Sequence, residues 1–125
     1  MSVSQYVFIR GSSVPTRAAL QRALSDAASG LTLGEFDPST HMGYLPVTLF
    51  GVSTGFELSS GAASELTDID PSVLSGCDRC LEFVTHGDLT ELKAASLAAA
   101  AVAVLAEGST PMTADQLARS AICTR

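Results

Sequence analysis

The sequence predicts an α+β domain, a two-layer sandwich in which a mostly antiparallel sheet of about four strands packs on two main helices in the order β-α-β-β-β-α-α. Three observations carry that expectation. Runs rich in β-branched and aromatic residues recur at 6–10, 44–58 and 80–85. Leu20, Leu24, Ala27 and Leu31 keep a helical spacing. An alanine-rich stretch, Ala94 to Ala106, follows an acidic capping pattern. The 125 residues, 46% hydrophobic, make room for a single domain, 1–125, which would bury about two-thirds of its surface without help from metal or disulfides.

Tyr6–Arg10 reads as the first strand, ended by Gly11. Ser12 and Ser13 offer hydroxyl caps with Pro15 in the first turn, so helix one is expected over 14–29, stopped by Gly30. From Leu31 to Met42 no period persists, and Asp37-Pro38-Ser39-Thr40 is turn chemistry. Tyr44–Phe50 and Phe56–Leu58 read as two strands joined by a glycine-bearing turn over Gly51–Gly55. Pro46 cannot donate to a ladder, which places its strand at an edge or a bulge there. Residues 59–76 form a long connection with room for a short helical turn. In Cys80–Thr85, a further strand, Leu81 and Phe83 alternate with Glu82 and Val84. Asp88 and Glu91 have capping-box spacing, so a long helix should run to about Glu107; apolar on nearly every face, it is expected to be buried. Thr113 would cap a last short helix, Ala114 to Ile122.

Thirteen acids against seven bases give a net charge of −6 and a pI near 4.6. This balance lacks the basic footprint on which nucleic-acid and anionic-membrane binding depend. The charge is uneven: residues 61–90 hold six acids against one arginine. No basic stretch followed by a long apolar run opens the chain, so a cytoplasmic location is expected. The apolar run of the alanine-rich helix is too short to cross a bilayer. Cys77, Cys80 and Cys123 are an odd set, which argues against a disulfide scaffold in a reducing compartment.

Motifs for chemistry are sparse. Cys77-Asp78-Arg79-Cys80 is a CxxC, the spacing of thiol redox pairs and of half a zinc site. It runs into a strand rather than a helix N-terminus, and the remaining candidate ligands, His41, His86 and Cys123, are scattered. His86 with Asp88 or Glu91 could serve as a general base, yet no serine or cysteine has a nucleophile-elbow context, and His86 also reads as an ordinary turn residue. Neither a phosphate-binding loop nor a calcium loop is formed, and no cofactor is expected. The carboxylates Glu65, Asp68, Asp70, Asp78 and Glu82 need no fine geometry to matter, because an acidic surface steers a basic partner.

Two blocks, Gly43 to Leu58 (GYLPVTLFGVSTGFEL) and Phe83 to Ala101 (FVTHGDLTELKAASLAAAA), cover about half the chain. In them the sequence resembles small bacterial immunity-type proteins, the cytoplasmic antidotes to polymorphic and type VI secretion toxins. The resemblance implies a compact α+β protein that binds and occludes a toxin without catalysis; the two cysteines of the CxxC are not part of it. The resulting expectation is a non-catalytic binding protein whose partner is a toxin or another protein with a basic face. Tyr44, Phe56 and Glu57 would be anchors, and Glu65, Asp68, Asp70, Asp78 and Glu82 steering charges. Two alternatives stand beside it: a small metal-binding or thiol protein using Cys77, Cys80 and His86, and a self-assembling subunit whose alanine face over 89–106 forms a homodimer seam.

Overall fold

A computed structural model of the chain describes residues 2–67, 76–106 and 112–113. Among them lie strands β1 (Val3–Ile9), β2 (Leu31–Leu33), β3 (Met42–Leu49), β4 (Val52–Ala62), β5 (Arg79–Thr85) and β6 (Met112–Thr113), with helices α1 (Arg17–Asp26), α2 (Ala63–Leu66) and α3 (Leu89–Leu105). The strands form one sheet in the order β2-β3-β4-β5-β1-β6, and every neighbouring pair is antiparallel. The α+β class therefore holds, with six strands in place of about four and the order β-α-β-β-β-α-β-α-β. The helix expected over 114–122 lies outside the described residues.

Helix α1 starts three residues later than the spacing suggested. The ring of Pro15 disfavours helical backbone at Val14, which is extended at ψ 117°. Thr16 is the cap, its hydroxyl accepting from the Ala19 amide at 3.1 Å, while Gly11–Ser13 form a separate 3₁₀ turn. The turn expected at Asp37 is present: its carboxylate accepts from the Ser39 hydroxyl at 2.7 Å and the Ser39 amide at 3.0 Å. Those bonds, the hydroxyl's first, hold Asp37 below the usual carboxylate range.

Helix α1 also finishes the outer edge of the sheet. Gln21 donates to the Leu31 carbonyl at 3.0 Å and accepts from the Leu33 amide at 2.8 Å. Its side-chain amide thus stands in for a neighbouring strand along β2, blunting an edge that would otherwise invite pairing. Pro46 lies inside the sheet, on β3 between β2 and β4. The Gly34 amide donates to the Pro46 carbonyl at 3.0 Å, and proline has no N–H to return that bond. Arg17 fills the gap, its guanidinium donating to the carbonyls of Gly34 and Leu33, both at 2.7 Å.

The β3–β4 hairpin turns on two residues only, Phe50 (φ 50°) and Gly51 (φ 79°), the positive-φ pattern of a type I′ turn. Val52–Gly55, expected within the turn, therefore belong to β4. The strand runs on through Ser59-Ser60-Gly61 because it pairs with β3 on one side and β5 on the other, a tertiary gain that overrides weak local propensity.

Asp88 caps α3, accepting from the Thr90 amide at 2.8 Å. Glu91 reaches back past the cap to accept from the His86 amide at 3.1 Å, a variant of the expected capping box. One face of α3 is buried, through Ala94, Ala95, Ala98, Ala99, Val102 and Ala103. Small side chains there let the helix lie close on the sheet, whereas Leu89 and Val104 are 64% and 77% exposed. The buried alanines of α3 are thus spent inside the protomer. The core between the layers joins Leu20 and Leu24 of α1 and the alanines of α3 to the inward residues of the strands, among them Val7, Leu45 and Leu81. No helix among the described residues is long and apolar enough to cross a membrane.

Candidate binding face

Both helices of the core lie on one side of the sheet, so the other side must find its own cover. Strand register assigns its residues in rows. Tyr44, Glu57, Val84 and Ser4 stand side by side across β3, β4, β5 and β1; in the next row stand Met42, Ser59, Glu82 and Tyr6, and beyond it Gly61, Cys80 and Phe8. The third row is covered: Phe8 and Cys80 pack with Ala63 of α2 and with Cys77, and Tyr6 and Leu66 lean on that cluster. In the first two rows Met42 and Tyr44 are 65% and 59% exposed and Glu57 is exposed, while Ser4, Tyr6, Ser59, Glu82 and Val84 are half-buried.

Tyr44 is positioned by a glycine. A Cβ on Gly55 would fall 2.2 Å from the Tyr44 hydroxyl oxygen and 2.7 Å from the Leu45 carbonyl oxygen, so only glycine lets the ring lie down across β4. Beside it, His86 Nε2 and Glu57 Oε2 are 2.5 Å apart, an ion pair when the imidazole is protonated. Glu82 lies one row away, half-buried, and Tyr6 stands directly across from it. Burial, and then the Glu82 carboxylate, push the Tyr6 phenol above its usual value. The face carries two carboxylates, two tyrosines and an exposed methionine, and tyrosine and methionine are enriched at protein interfaces.

The expected site residues separate on the structure. Tyr44, Glu57 and Glu82 share this face. Phe56 does not: it is 2% exposed and its ring packs at 5.7 Å from that of Phe83 on the helix side, so it is a core residue and not an anchor. Strand alternation, with Phe56 next to Glu57, is the physical reason. Glu65 is exposed on α2. Asp78 is exposed, and its carboxylate accepts from the Gly11 amide at 2.8 Å, tying down the 3₁₀ turn. Asp68 and Asp70 lie outside the described residues. The partner that sequence reasoning missed is His86, taken for a turn residue; the parity of Glu82, Val84 and His86 was the available signal.

The two cysteines of the CxxC have different fates. Cys77 is disulfide-bonded, and Cys80 is a free, buried thiol. Burial, with the Glu82 charge second, pushes the Cys80 thiol up to about 12, so it is held as the neutral thiol rather than the nucleophilic thiolate. The bonded Cys77 corrects the expectation of unpaired cysteines. Among the described residues no three His, Cys, Asp or Glu side chains gather as a metal site. Comparison with protein-family models, with characterised proteins and with solved structures finds no match for this chain.

Proposed function

We propose that this chain is a non-catalytic binding protein of the immunity type, which occludes the basic surface of a partner toxin with the open face of its sheet. The observation that supports the reading most is the exposed group on β3 and β4, where Tyr44 and Met42 project beside Glu57 with the half-buried Glu82 on β5 nearby. Tyrosine is among the residue types that dominate interface energetics and methionine is enriched at interfaces, while carboxylates around them speed encounter with a positive partner. Glu65 and Asp78 extend the negative field, and Tyr44, braced on Gly55, enters a complex with little freedom to lose.

The test is calorimetric titration against the purified products of the adjacent genes. A binder is expected among them whose affinity falls with salt and falls by about tenfold or more for Tyr44→Ala. Absence of binding to any of them at low salt, or binding indifferent to Tyr44→Ala and to Glu57→Lys, contradicts the reading.

A further inference from the structure

The open face of the sheet sets an aromatic platform beside a fixed carboxylate. Tyr44 and Glu57 are direct partners in the β3–β4 ladder. The phenol end of the Tyr44 ring rests on the backbone of Gly55, which is buried, while Tyr44 itself stays 59% exposed, so the outer side of the ring is open. A ring braced in this way is a stacking surface for a flat cation.

Glu57 is anchored from its other flank. Its Oε2 lies 2.5 Å from His86 Nε2, and the two side chains remain 50% and 60% exposed. Among the described residues Glu57 pairs with no Lys or Arg, and its Oε1 makes no hydrogen bond. One carboxylate oxygen is thus held by the protein and the other is left for a ligand. That arrangement suits a guanidinium: its N–H groups donate to the carboxylate while its plane lies on the ring. An ammonium has the charge but no plane to stack.

We propose that Tyr44, Glu57 and His86 form a site for an arginine side chain presented by a basic partner, and that His86 makes the site pH-sensitive. The proposal rests on the reading of the open face as the surface that meets such a partner. With a neutral imidazole, the Nε2 proton is donated to Glu57 and the pair keeps one negative charge. Imidazole changes charge between about pH 5 and about pH 8. Once protonated, His86 is an ion-pair partner of Glu57; it cancels the charge that the arginine needs and repels the guanidinium. The other charged groups around His86 are acidic: Asp88 and Glu91 at the start of α3, Glu91 accepting from the His86 amide, and Glu82 on the same side of β5. The phenols of Tyr44 and Tyr6 complete the titratable groups of this face.

NMR titration of the full chain with N-acetyl-arginine amide tests the proposal, with the lysine and citrulline amides beside it. The expected result at about pH 8 is a saturable movement of the Tyr44 and His86 ring signals with arginine, a weaker one with lysine and none with uncharged citrulline. Tyr44→Ala and Glu57→Gln should each weaken arginine binding by about two- to fivefold. Lowering the pH to about 5.5 should weaken it similarly in the wild type. His86→Gln, which keeps a donor for Glu57 but takes up no proton, should abolish that loss on acidification. Arginine that moves the two rings no more than citrulline does, binding that Glu57→Gln leaves unchanged, or equal affinity at both pH values overturns the proposal. A toxin complex formed by a chain that ignores the arginine probe removes this site and leaves the binding reading standing. Conversely, a saturable arginine response in a chain that binds no neighbouring gene product keeps the site and removes the toxin.

Discussion

The two faces of one sheet are built on opposite rules. On the helix side, Phe56, Leu58, Leu81 and Phe83 are all but inaccessible and meet leucines of α1 and alanines of α3. On the other side, one residue along each strand, Glu57 and Glu82 stand beside Tyr44 and Met42, the last two largely exposed. Because side chains alternate, neighbouring residues such as Phe56 and Glu57 serve entirely different ends. The comparison teaches that stability and recognition are written on the same strands in alternate positions, so substitutions should separate the two cleanly.

The largest expected effect comes from the covered face. Phe83→Ala should cost about 3–5 kcal/mol in urea denaturation, as buried aromatic truncations do, whereas Tyr44→Ala should cost about 1 kcal/mol or less. Similar losses for both would show that the open face is also core. Next comes the edge that separates the faces from solvent. Arg17→Met strips charged donors from the carbonyls of Gly34 and Leu33 and should cost about 1.5–3 kcal/mol. Gln21→Ala, which uncovers β2, should cost about 1 kcal/mol and make the protein more prone to aggregate; unchanged stability in both variants would mean that β2 needs no support from α1.

The third effect is a pH dependence on the covered end of the otherwise open face. The folded state raises the Cys80 thiol from 9.0 to about 12, so between those values the native chain keeps a proton that the unfolded chain has released. Stability contributed by the neutral thiol is complete below pH 9 and is lost as pH rises toward 12, with a slope of at most about 1.4 kcal/mol per pH unit. Tyr6, also raised, acts in the same direction. Denaturation midpoints followed upward from pH 9 should fall less steeply in Cys80→Ala than in the wild type; parallel slopes would remove the buried thiol from the account. The smallest effect concerns Phe50→Asn, which should leave stability unchanged or raise it by a few tenths of a kcal/mol, about what a better turn residue contributes.

Much of this was legible in the sequence, for identifiable reasons. β1, β3 and β5 carry strong strand composition, and Asp88 marked the start of α3 because its side chain makes the local capping bond itself. β2 was not legible: three residues are too short for a period, and their support comes from Gln21, ten residues upstream. The end of β4 was read as a connection because Ser59, Ser60 and Gly61 have little intrinsic preference for strand and are held by partners on both sides. In α3 the composition is apolar all round, so periodicity could not say that alanines face inward and that Leu89 and Val104 face outward. Of the site, Tyr44, Glu57 and Glu82 were found from residue type, but their shared face followed only from the Phe50–Gly51 turn and the β4–β5 register. Phe56 was misassigned through neglect of the same alternation.

The central claim is that the open face binds while the covered face only supports it. Its most direct test is the affinity of Tyr44→Ala/Glu57→Lys for the neighbouring gene's product, measured beside the double variant's melting curve. The account expects a near-wild-type melt with binding reduced by about tenfold or more. Wild-type affinity in a folded double variant would contradict it.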